Sequence, residues 1–156
     1  MFFLSKRRLT IFFNYQRPLV VDVLPKGATV TSSSYVSAVI HKLVSTITEK
    51  PKVRTRRSIL LHDNASSNQP AGTRECLASH EFTVLDDSVY LSDLASCDFW
   101  LFQTVKSQLS DRRFSRPQDL ARAVWAILRD IPSSEYRSAM EKWISRLRTC
   151  VEQSGD

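Results

Sequence analysis

A short apolar run, SILLH at Ser58 to His62, ends directly in Asp63 and Asn64. A continuous apolar run of this length is typical of a strand buried on both faces of a parallel sheet. In such sheets ligands collect beyond the carboxyl ends of the strands, which is where Asp63 would stand. The run therefore predicts an α/β chain with a candidate functional residue at the end of a buried strand.

Two more strands and a helix are predicted ahead of this run. Arg8 to Tyr15 and Pro18 to Leu24 are β-branched and aromatic runs separated by Gln16-Arg17, which indicates two antiparallel strands. An amphipathic helix is predicted over Ser33 to Glu49, because apolar residues recur there at helical spacing: Val36, Ile40, Leu43, Val44 and Ile47.

The rest of the chain is predicted to be mostly helical. A short helix over about Pro70 to Ser79 leads to a strand at Phe82 to Leu85. Three helices follow: one from about Ala95 to Leu109, one that begins near Pro117 and ends before Pro132, and a last one capped by Ser133 or Ser134. This order of elements predicts a mixed sheet covered by helices.

The charge is unevenly distributed along the chain. Residues 1–57 carry a net charge of +9, residues 58–98 carry −6, and residues 99–156 carry +3, which gives the overall +6. An acidic middle between basic ends fits a carboxylate metal site framed by surfaces that attract a polyanion. Chance clustering on a solvated surface explains the same distribution.

Several classes of protein do not fit the composition. The amino-terminal MFFLSKRR has the wrong order of charge and apolar residues for a signal peptide, and the apolar stretch Leu9 to Leu24 is interrupted by polar residues, so no membrane partner is expected. With only three glycines, no phosphate loop and no small-molecule substrate are expected. The widely spaced Cys76, Cys97 and Cys150 are interpreted as reduced thiols of a cytosolic or nuclear protein.

A basic loop precedes the buried strand. Five of the eight residues from 50 to 57 are basic, and Pro51 disfavours regular structure: Lys50, Lys52, Arg54, Arg56 and Arg57. Such a run suits contact with phosphates or a nuclear address. A solvated linker is an equally good explanation.

Carboxylates are the best candidates for chemistry. Asp63 ends the buried strand and Asp98 opens a predicted helix, and aspartate is a hard oxygen ligand that suits Mg²⁺ or Mn²⁺. Each has a structural alternative, since Asp63-Asn64 can form a turn and Asp98 can complement a helix dipole. No catalytic signature accompanies any of the three histidines, including His62, so nucleophilic catalysis is poorly supported.

These residues also suggest a family. The segments LLHDNA at Leu60 to Ala65, Val84-Leu85, and YLSDLASCDFWLF at Tyr90 to Phe102 resemble the catalytic core of mariner-type transposases. Asp63 and Asp98 are separated by 34 residues, which is the family's spacing between its second and third catalytic aspartates. The flanking strand pair and carboxyl-terminal helices are similar too, so the resemblance covers nearly the whole chain.

The resemblance implies an RNase H-like core at residues 1–112 and a helical extension of the same domain at 113–156. It implies DNA cleavage and strand transfer with two Mg²⁺ or Mn²⁺ ions held by three acids, of which Asp63 matches the second and Asp98 the third. DNA is then the expected partner and the nucleus the expected location. The basic run at Lys50 to Arg57 would contact the phosphate backbone without reading its sequence.

The sequence departs from the family at its amino terminus. No residue matches the first acid, which in the family lies on the strand ahead of the one matching Leu9 to Tyr15. We therefore expect a truncated core that lacks its first central strand, so that the strands at 8–15 and 58–62 either pair with each other or keep open edges. Open edges favour association, so a homodimer is among the expected partners.

Smaller departures concern the loop before the third acid. Asp86-Asp87 stand where the family has a Pro/His pair, and Leu91 and Ser96 replace prolines that would stiffen the chain before Asp98. The leading hypothesis is a transposase catalytic domain that is inactive by itself. The alternative is a non-catalytic DNA-binding or dimerisation module derived from a transposase, and a product without function is a third hypothesis.

Overall fold

A computed structural model describes residues 2–4, 7–24, 39–49, 59–62, 71–80, 82–86 and 100–154 of the chain. Within these ranges the fold is mixed α/β, and the predicted order of strands and helices is confirmed, with one strand more at the amino terminus. The elements in chain order are β1 (Phe2–Leu4), β2 (Arg7–Phe13), β3 (Pro18–Leu24), α1 (His41–Thr48), β4 (Ile59–His62), α2 (Ala71–Ser79), β5 (Thr83–Asp86), α3 (Phe102–Leu109), α4 (Pro117–Asp130) and α5 (Ser133–Ser154).

The first three strands form an antiparallel sheet with β2 in the centre. β2 and β3 pair from Arg8 opposite Leu24 to Phe12 opposite Val20, and the register shifts after Phe12. The turn between them is stabilised by Asn14, whose Oδ1 accepts hydrogen bonds from the backbone N–H groups of Gln16 and Arg17, each at 2.9 Å. This local side-chain to backbone bonding is why asparagine favours turns.

The other edge of β2 is paired with β1, which the sequence analysis did not predict. Phe2 lies opposite Leu9 and Leu4 lies opposite Arg7. We expected this edge of β2 either to stay open or to pair with the strand at 58–62. Over Arg7–Leu9 this expectation is wrong, because β1 occupies the edge. A three-residue strand is too short to show the alternation by which strands are recognised in a sequence.

The remaining two strands form a separate parallel pair. β4 and β5 pair from Ile59 opposite Thr83 to His62 opposite Asp86. The prediction of a parallel strand at Ser58 to His62 is thus confirmed over Ile59–His62, and Ser58 lies outside the described residues. The connection between the two strands contains α2, as a parallel crossover requires.

Each face of the three-stranded sheet supports its own core. Alternate residues of a strand point to opposite faces, so Leu9 and Ile11 lie on one face while Phe12 lies on the other. The first group of buried residues, which we call the α4-side core, consists of Leu9, Ile11, Val21, Leu101, Phe102, Val105, Leu109, Leu120, Ala123, Val124, Ile127, Leu128 and Tyr136. The second, the α1-side core, consists of Phe12, Val20, Val39, Ile40, Leu43, Ile47, Leu77 and Phe82.

Helix α4 shows how the sequence directs this packing. Pro117 occupies its first turn, where the missing N–H costs nothing, and Pro132 follows shortly after its last residue. Leu120, Val124 and Leu128 recur every fourth residue and are fully buried against β3 and α3. None of the helices within the described ranges is long and apolar enough to cross a membrane.

Candidate metal and nucleic-acid site

The carboxyl end of β4 is where the sequence places the first candidate acid. β4 ends at His62, and Asp63 is the next residue in the chain. Asp63 itself lies outside the described residues, as do Asp98 and the predicted phosphate-binding residues Lys50, Lys52, Arg54, Arg56 and Arg57. The described elements therefore show what surrounds these positions in the chain.

The β4–β5 pair brings a second acidic position to the same sheet end. The backbone of Asp86, the last residue of β5, lies opposite His62, the residue before Asp63. Because the strands are parallel, both chains leave the sheet at one end. Across the described ranges no three His, Cys, Asp or Glu side chains come together as metal ligands.

Trp100 anchors the chain that follows Asp98. Trp100 is the second residue after Asp98 in the sequence and the first described residue of this part of the chain. The Trp100 ring meets Tyr136 of α5 edge to face, with centroids 5.1 Å apart and planes at 88°. Phe13 of β2 completes the cluster, with its ring centroid 6.0 Å from each of the other two. The Phe13–Trp100–Tyr136 cluster thus ties the segment after Asp98 to both β2 and α5.

The residues after Trp100 continue this anchoring. Leu101 and Phe102 are buried in the α4-side core. The hydroxyl of Thr104 donates a hydrogen bond of 2.9 Å to the backbone oxygen of Trp100, which holds the first turn ahead of α3. The segment that begins two residues after Asp98 is therefore fixed by burial on one side and by a local hydrogen bond on the other.

Tyr136 joins this cluster to the end of α4. Its hydroxyl donates a 2.8 Å hydrogen bond to the backbone oxygen of Leu128, one of the last four carbonyls of α4, which have no partner within the helix. Burial, with a smaller contribution from the neighbouring charge of Glu135, raises the pKa of the Tyr136 hydroxyl above its ordinary value. The hydroxyl therefore stays protonated and remains a donor throughout the physiological pH range.

A cleft opens beside the anchored tryptophan. It has a volume of about 340 Å³ and lies between Trp100 and one face of α5, and its lining comprises Trp100, Glu135, Ser138, Ala139, Lys142 and Arg146. The sequence analysis assigned no role to Lys142 and Arg146. Their spacing of four residues is a detectable signal of a shared helix face, but only the packing shows that this face adjoins Trp100.

A second cleft lies at the carboxyl-terminal end of α4. It has a volume of about 550 Å³, and Arg17, Trp125, Arg129 and Asp130 contribute to its lining. The guanidinium of Arg129 lies over the Trp125 ring, 5.2 Å from its centroid. Trp125 also packs against the α4-side core, which agrees with the interpretation of this tryptophan as a core residue.

Arg7 and the cysteines are further polar features of the described residues. Arg7 is buried in β2, and its Nη2 donates a 2.7 Å hydrogen bond to the backbone oxygen of Ser115, across more than a hundred residues of sequence. Cys76 and Cys150 are free thiols and half-buried, whereas Cys97 lies outside the described residues.

The chain has curated relatives in sequence, although no family model matches it. It is 26% identical over 155 residues to the Mariner Mos1 transposase of Drosophila mauritiana, which covers 97% of this chain and 44% of that protein. It is 25% identical over 153 residues to the histone-lysine N-methyltransferase SETMAR of Homo sapiens, which covers 97% of this chain and 22% of that protein. The chain thus spans less than half the length of either relative.

Solved structures of Mos1 share the fold. The Mos1 transposase catalytic domain with raltegravir and Mn superposes with a TM-score of 0.82 at 26% identity, covering 100% of this chain and 79% of that one. The corresponding structure with Mg superposes with a TM-score of 0.82 at 24% identity, covering 96% of this chain and 76% of that one. The Mos1 mariner paired end complex with Mn superposes with a TM-score of 0.82 at 25% identity, covering 96% of this chain and 44% of that one. The chain is therefore homologous, over nearly its whole length, to the Mos1 mariner transposase and SETMAR, and it resembles the mariner transposase catalytic domain in fold.

Proposed function

We propose that this chain is a mariner-type transposase catalytic core, of the kind that cleaves and joins DNA with divalent metal ions, and that Asp63 and Asp98 are the second and third of its catalytic and metal-binding acids. Because no residue of the sequence matches the first acid, we propose that it has little activity by itself. The observation that carries the proposal is the homology to Mos1 over 97% of the chain. The parallel pairing of β4 with β5 supports it, because it gives Asp63 the strand-end position that ligand sites in such sheets use.

The donor chemistry of these residues fits the metal. Aspartate oxygens are hard ligands of the kind that Mg²⁺ and Mn²⁺ prefer. Mos1 itself has been solved with each of these ions. When bound, a pair of such ions activates an attacking water or hydroxyl and stabilises the leaving oxygen of a phosphodiester.

The protein's own contribution is to position the acids and hold the DNA. The Phe13–Trp100–Tyr136 cluster holds the chain at Trp100, which follows the proposed third acid by two residues in the sequence. The basic run at Lys50 to Arg57 supplies charge for phosphate contacts, and the same run is our proposed nuclear address. We propose DNA and a second copy of the chain as its partners. The paired-end complexes of Mos1, one of them with the left transposon end, support this proposal.

A nicking assay tests this function. Supercoiled plasmid is incubated with the protein in Mg²⁺ or Mn²⁺, and we expect metal-dependent nicks that fall to background in Asp63→Ala and in Asp98→Ala. Asp111→Ala is the matched control, because Asp111 is an exposed carboxylate of the loop after α3. Nicking that survives both substitutions, or that is lost in the control as well, contradicts the proposed roles.

The second candidate function is a non-catalytic module that binds DNA or dimerises. It is favoured by the basic excess of the sequence, which suits contact with phosphates. In that case the same assay shows no metal-dependent nicking, while duplex binding persists in both aspartate variants. Expression as a fluorescent fusion, with and without neutral substitutions at Lys50 to Arg57, tests the nuclear address.

A further inference from the structure

We propose that the carboxyl-terminal part of α5 pairs in antiparallel orientation with the same part of a second copy of the chain. The contact surface consists of Met140, Ile144, Leu147 and Val151, which we call the α5 apolar stripe. The inference rests on the second copy that is part of the proposed function, and it adds the surface that holds this copy.

Burial divides α5 into two parts. The first part is held by Tyr136 and Ala139, which are 1% and 4% exposed. From Met140 to Gln153, in contrast, every residue is at least partly exposed. A helical segment of this length is marginal in water without packing, because most helical stability in proteins comes from contacts of an apolar face. The second part of α5 is therefore stabilised by any partner that covers its apolar side chains.

The residues of the α5 apolar stripe lie on one side of the helix. They follow one another after four, three and four residues, which keeps them within about 60° around the helix axis. Ile144 and Val151 are 44% and 71% exposed, and Met140 and Leu147 are half-buried. This spacing is the one by which two helices interdigitate in a coiled coil. The α5 apolar stripe is thus suited to contact with another helix.

Antiparallel pairing makes the stripe complementary to itself. About a two-fold axis midway along the stripe, Met140 lies opposite Val151 of the second copy, and Ile144 lies opposite Leu147. Each of the four side chains then meets an apolar partner, and the symmetry repeats every contact. A second copy of the chain therefore provides the helix that the stripe needs.

The charges beside the stripe select the antiparallel orientation. Glu141 and Arg148 are exposed and flank the stripe on the same side, about 80° from its centre. In an antiparallel pair this flank meets the same flank of the second copy, so that Glu141 of each copy lies opposite Arg148 of the other. In a parallel pair it would meet the other flank, with Trp143 and Cys150, and both charges would lose water without gaining a partner. Charges at such flanking positions determine partner and orientation in coiled coils.

The length of the stripe determines the strength of the dimer. From Met140 to Val151 it extends for about 17 Å, or three turns of helix. A contact this short is smaller than the standard protein interface of about 1,600 Å². We therefore expect a reversible dimer that forms at micromolar concentrations, which analytical ultracentrifugation of the full chain measures directly.

The first test removes an apolar contact. In Ile144→Lys a charge replaces an apolar side chain near the two-fold axis, and we expect the dimer Kd to rise by about 10-fold or more. Ser145→Lys is the matched control, because Ser145 is exposed about 130° around the helix from the centre of the stripe and gains the same charge. This variant should dimerise like wild type. Circular dichroism confirms that both variants are folded.

The second test exchanges the flanking charges. Glu141→Arg and Arg148→Glu each place like charges opposite one another in the antiparallel pair, so at low salt we expect the Kd of each variant to rise about 10-fold. An equimolar mixture of the two variants places opposite charges together again, and it should form heterodimers with a Kd close to that of wild type. Mixing leaves the charges within each helix unchanged, so recovery reports the contact between copies. Net charge alone would weaken only Glu141→Arg, since Arg148→Glu lowers the positive charge of the chain.

Three results overturn the proposal. A wild-type chain that stays monomeric at every concentration would assign the stripe to a different partner. A dimer that tolerates Ile144→Lys would place the contact between copies elsewhere, and a mixture that does not recover would exclude the antiparallel orientation. The proposed catalytic function fails separately, by nicking that ignores Asp63→Ala and Asp98→Ala, and the dimer measurements do not depend on that result.

Discussion

The two faces of the three-stranded sheet carry cores that hold different parts of the chain. Among the described residues, the α4-side core contains thirteen buried residues and receives α3, α4 and α5, whereas the α1-side core contains eight and receives α1 and α2. The larger core holds Trp100 and hence the segment next to Asp98. The smaller one includes Phe82, directly ahead of β5, and so connects the antiparallel sheet to the β4–β5 pair. One face thus holds Trp100, which follows the third proposed acid in the sequence, and the other holds Phe82, which precedes β5.

Shortening one leucine in each core tests this comparison, and it has the largest expected effect on the free energy of unfolding. Leu120 in the α4-side core and Leu77 in the α1-side core are both essentially fully buried. Leucine-to-alanine changes cost about 2–5 kcal/mol, and the cost rises with the cavity that remains. We expect Leu120→Ala near the upper end and Leu77→Ala near the lower end, because Leu120 belongs to a cluster of thirteen described buried residues and Leu77 to one of eight.

Urea unfolding of the two variants and wild type measures these costs. A fall in the midpoint without a change in the slope of free energy against denaturant indicates a change in stability alone. If Leu77→Ala costs as much as Leu120→Ala, the two cores are equally well packed and the comparison fails.

Removal of the Tyr136 hydroxyl has an intermediate expected effect. Tyr136→Phe keeps the ring against Trp100 but leaves the backbone oxygen of Leu128 without its donor. We expect a loss of about 1–2 kcal/mol of unfolding free energy, the usual cost of an unpaired buried acceptor. Tyr15→Phe, at an exposed tyrosine, is the control and should be neutral. A Tyr136→Phe variant as stable as wild type would show that the end of α4 does not need this bond.

The smallest expected effect concerns an exposed ion pair at the start of α4. The guanidinium of Arg116 donates two hydrogen bonds of 3.0 Å to Asp119, and this bonding lowers the pKa of the Asp119 carboxyl below its ordinary 3.8. A lowered folded pKa means that the carboxylate stabilises the protein above pH 3.8, and that this stabilisation is lost as the pH falls through the lowered value.

Thermal unfolding of wild type and Asp119→Asn between pH 7 and pH 2 measures this dependence. The difference in Tm should be small at neutral pH and should vanish in acid. It should also vanish in the Arg116→Gln background, because the partner is then absent. Since the pair is exposed, high salt should reduce the difference as well. A difference that persists in acid would assign the effect to the helix start itself and not to the ion pair.

The sequence predicted much of this fold because its signals are local. Runs of β-branched and aromatic residues predicted β2 and β3, and apolar residues at every third or fourth position predicted α4 and α5. The parallel strand β4 was recognisable because a strand buried on both faces has a continuous apolar run. Strand β1 was missed because three residues contain no period, and its pairing with β2 depends on a contact between two segments.

The candidate site shows the same division. By itself the sequence determined the positions of Asp63 and Asp98, their spacing of 34 residues, and the resemblance to mariner-type transposases, since these are properties of residue order. Only the tertiary structure decided that Phe13, Trp100 and Tyr136, from three distant parts of the chain, form one aromatic cluster. It likewise decided that Lys142 and Arg146 line a cleft with Trp100. The physical reason is that a side chain's neighbours across a core are fixed by packing between elements, and that packing is not encoded in any single local pattern.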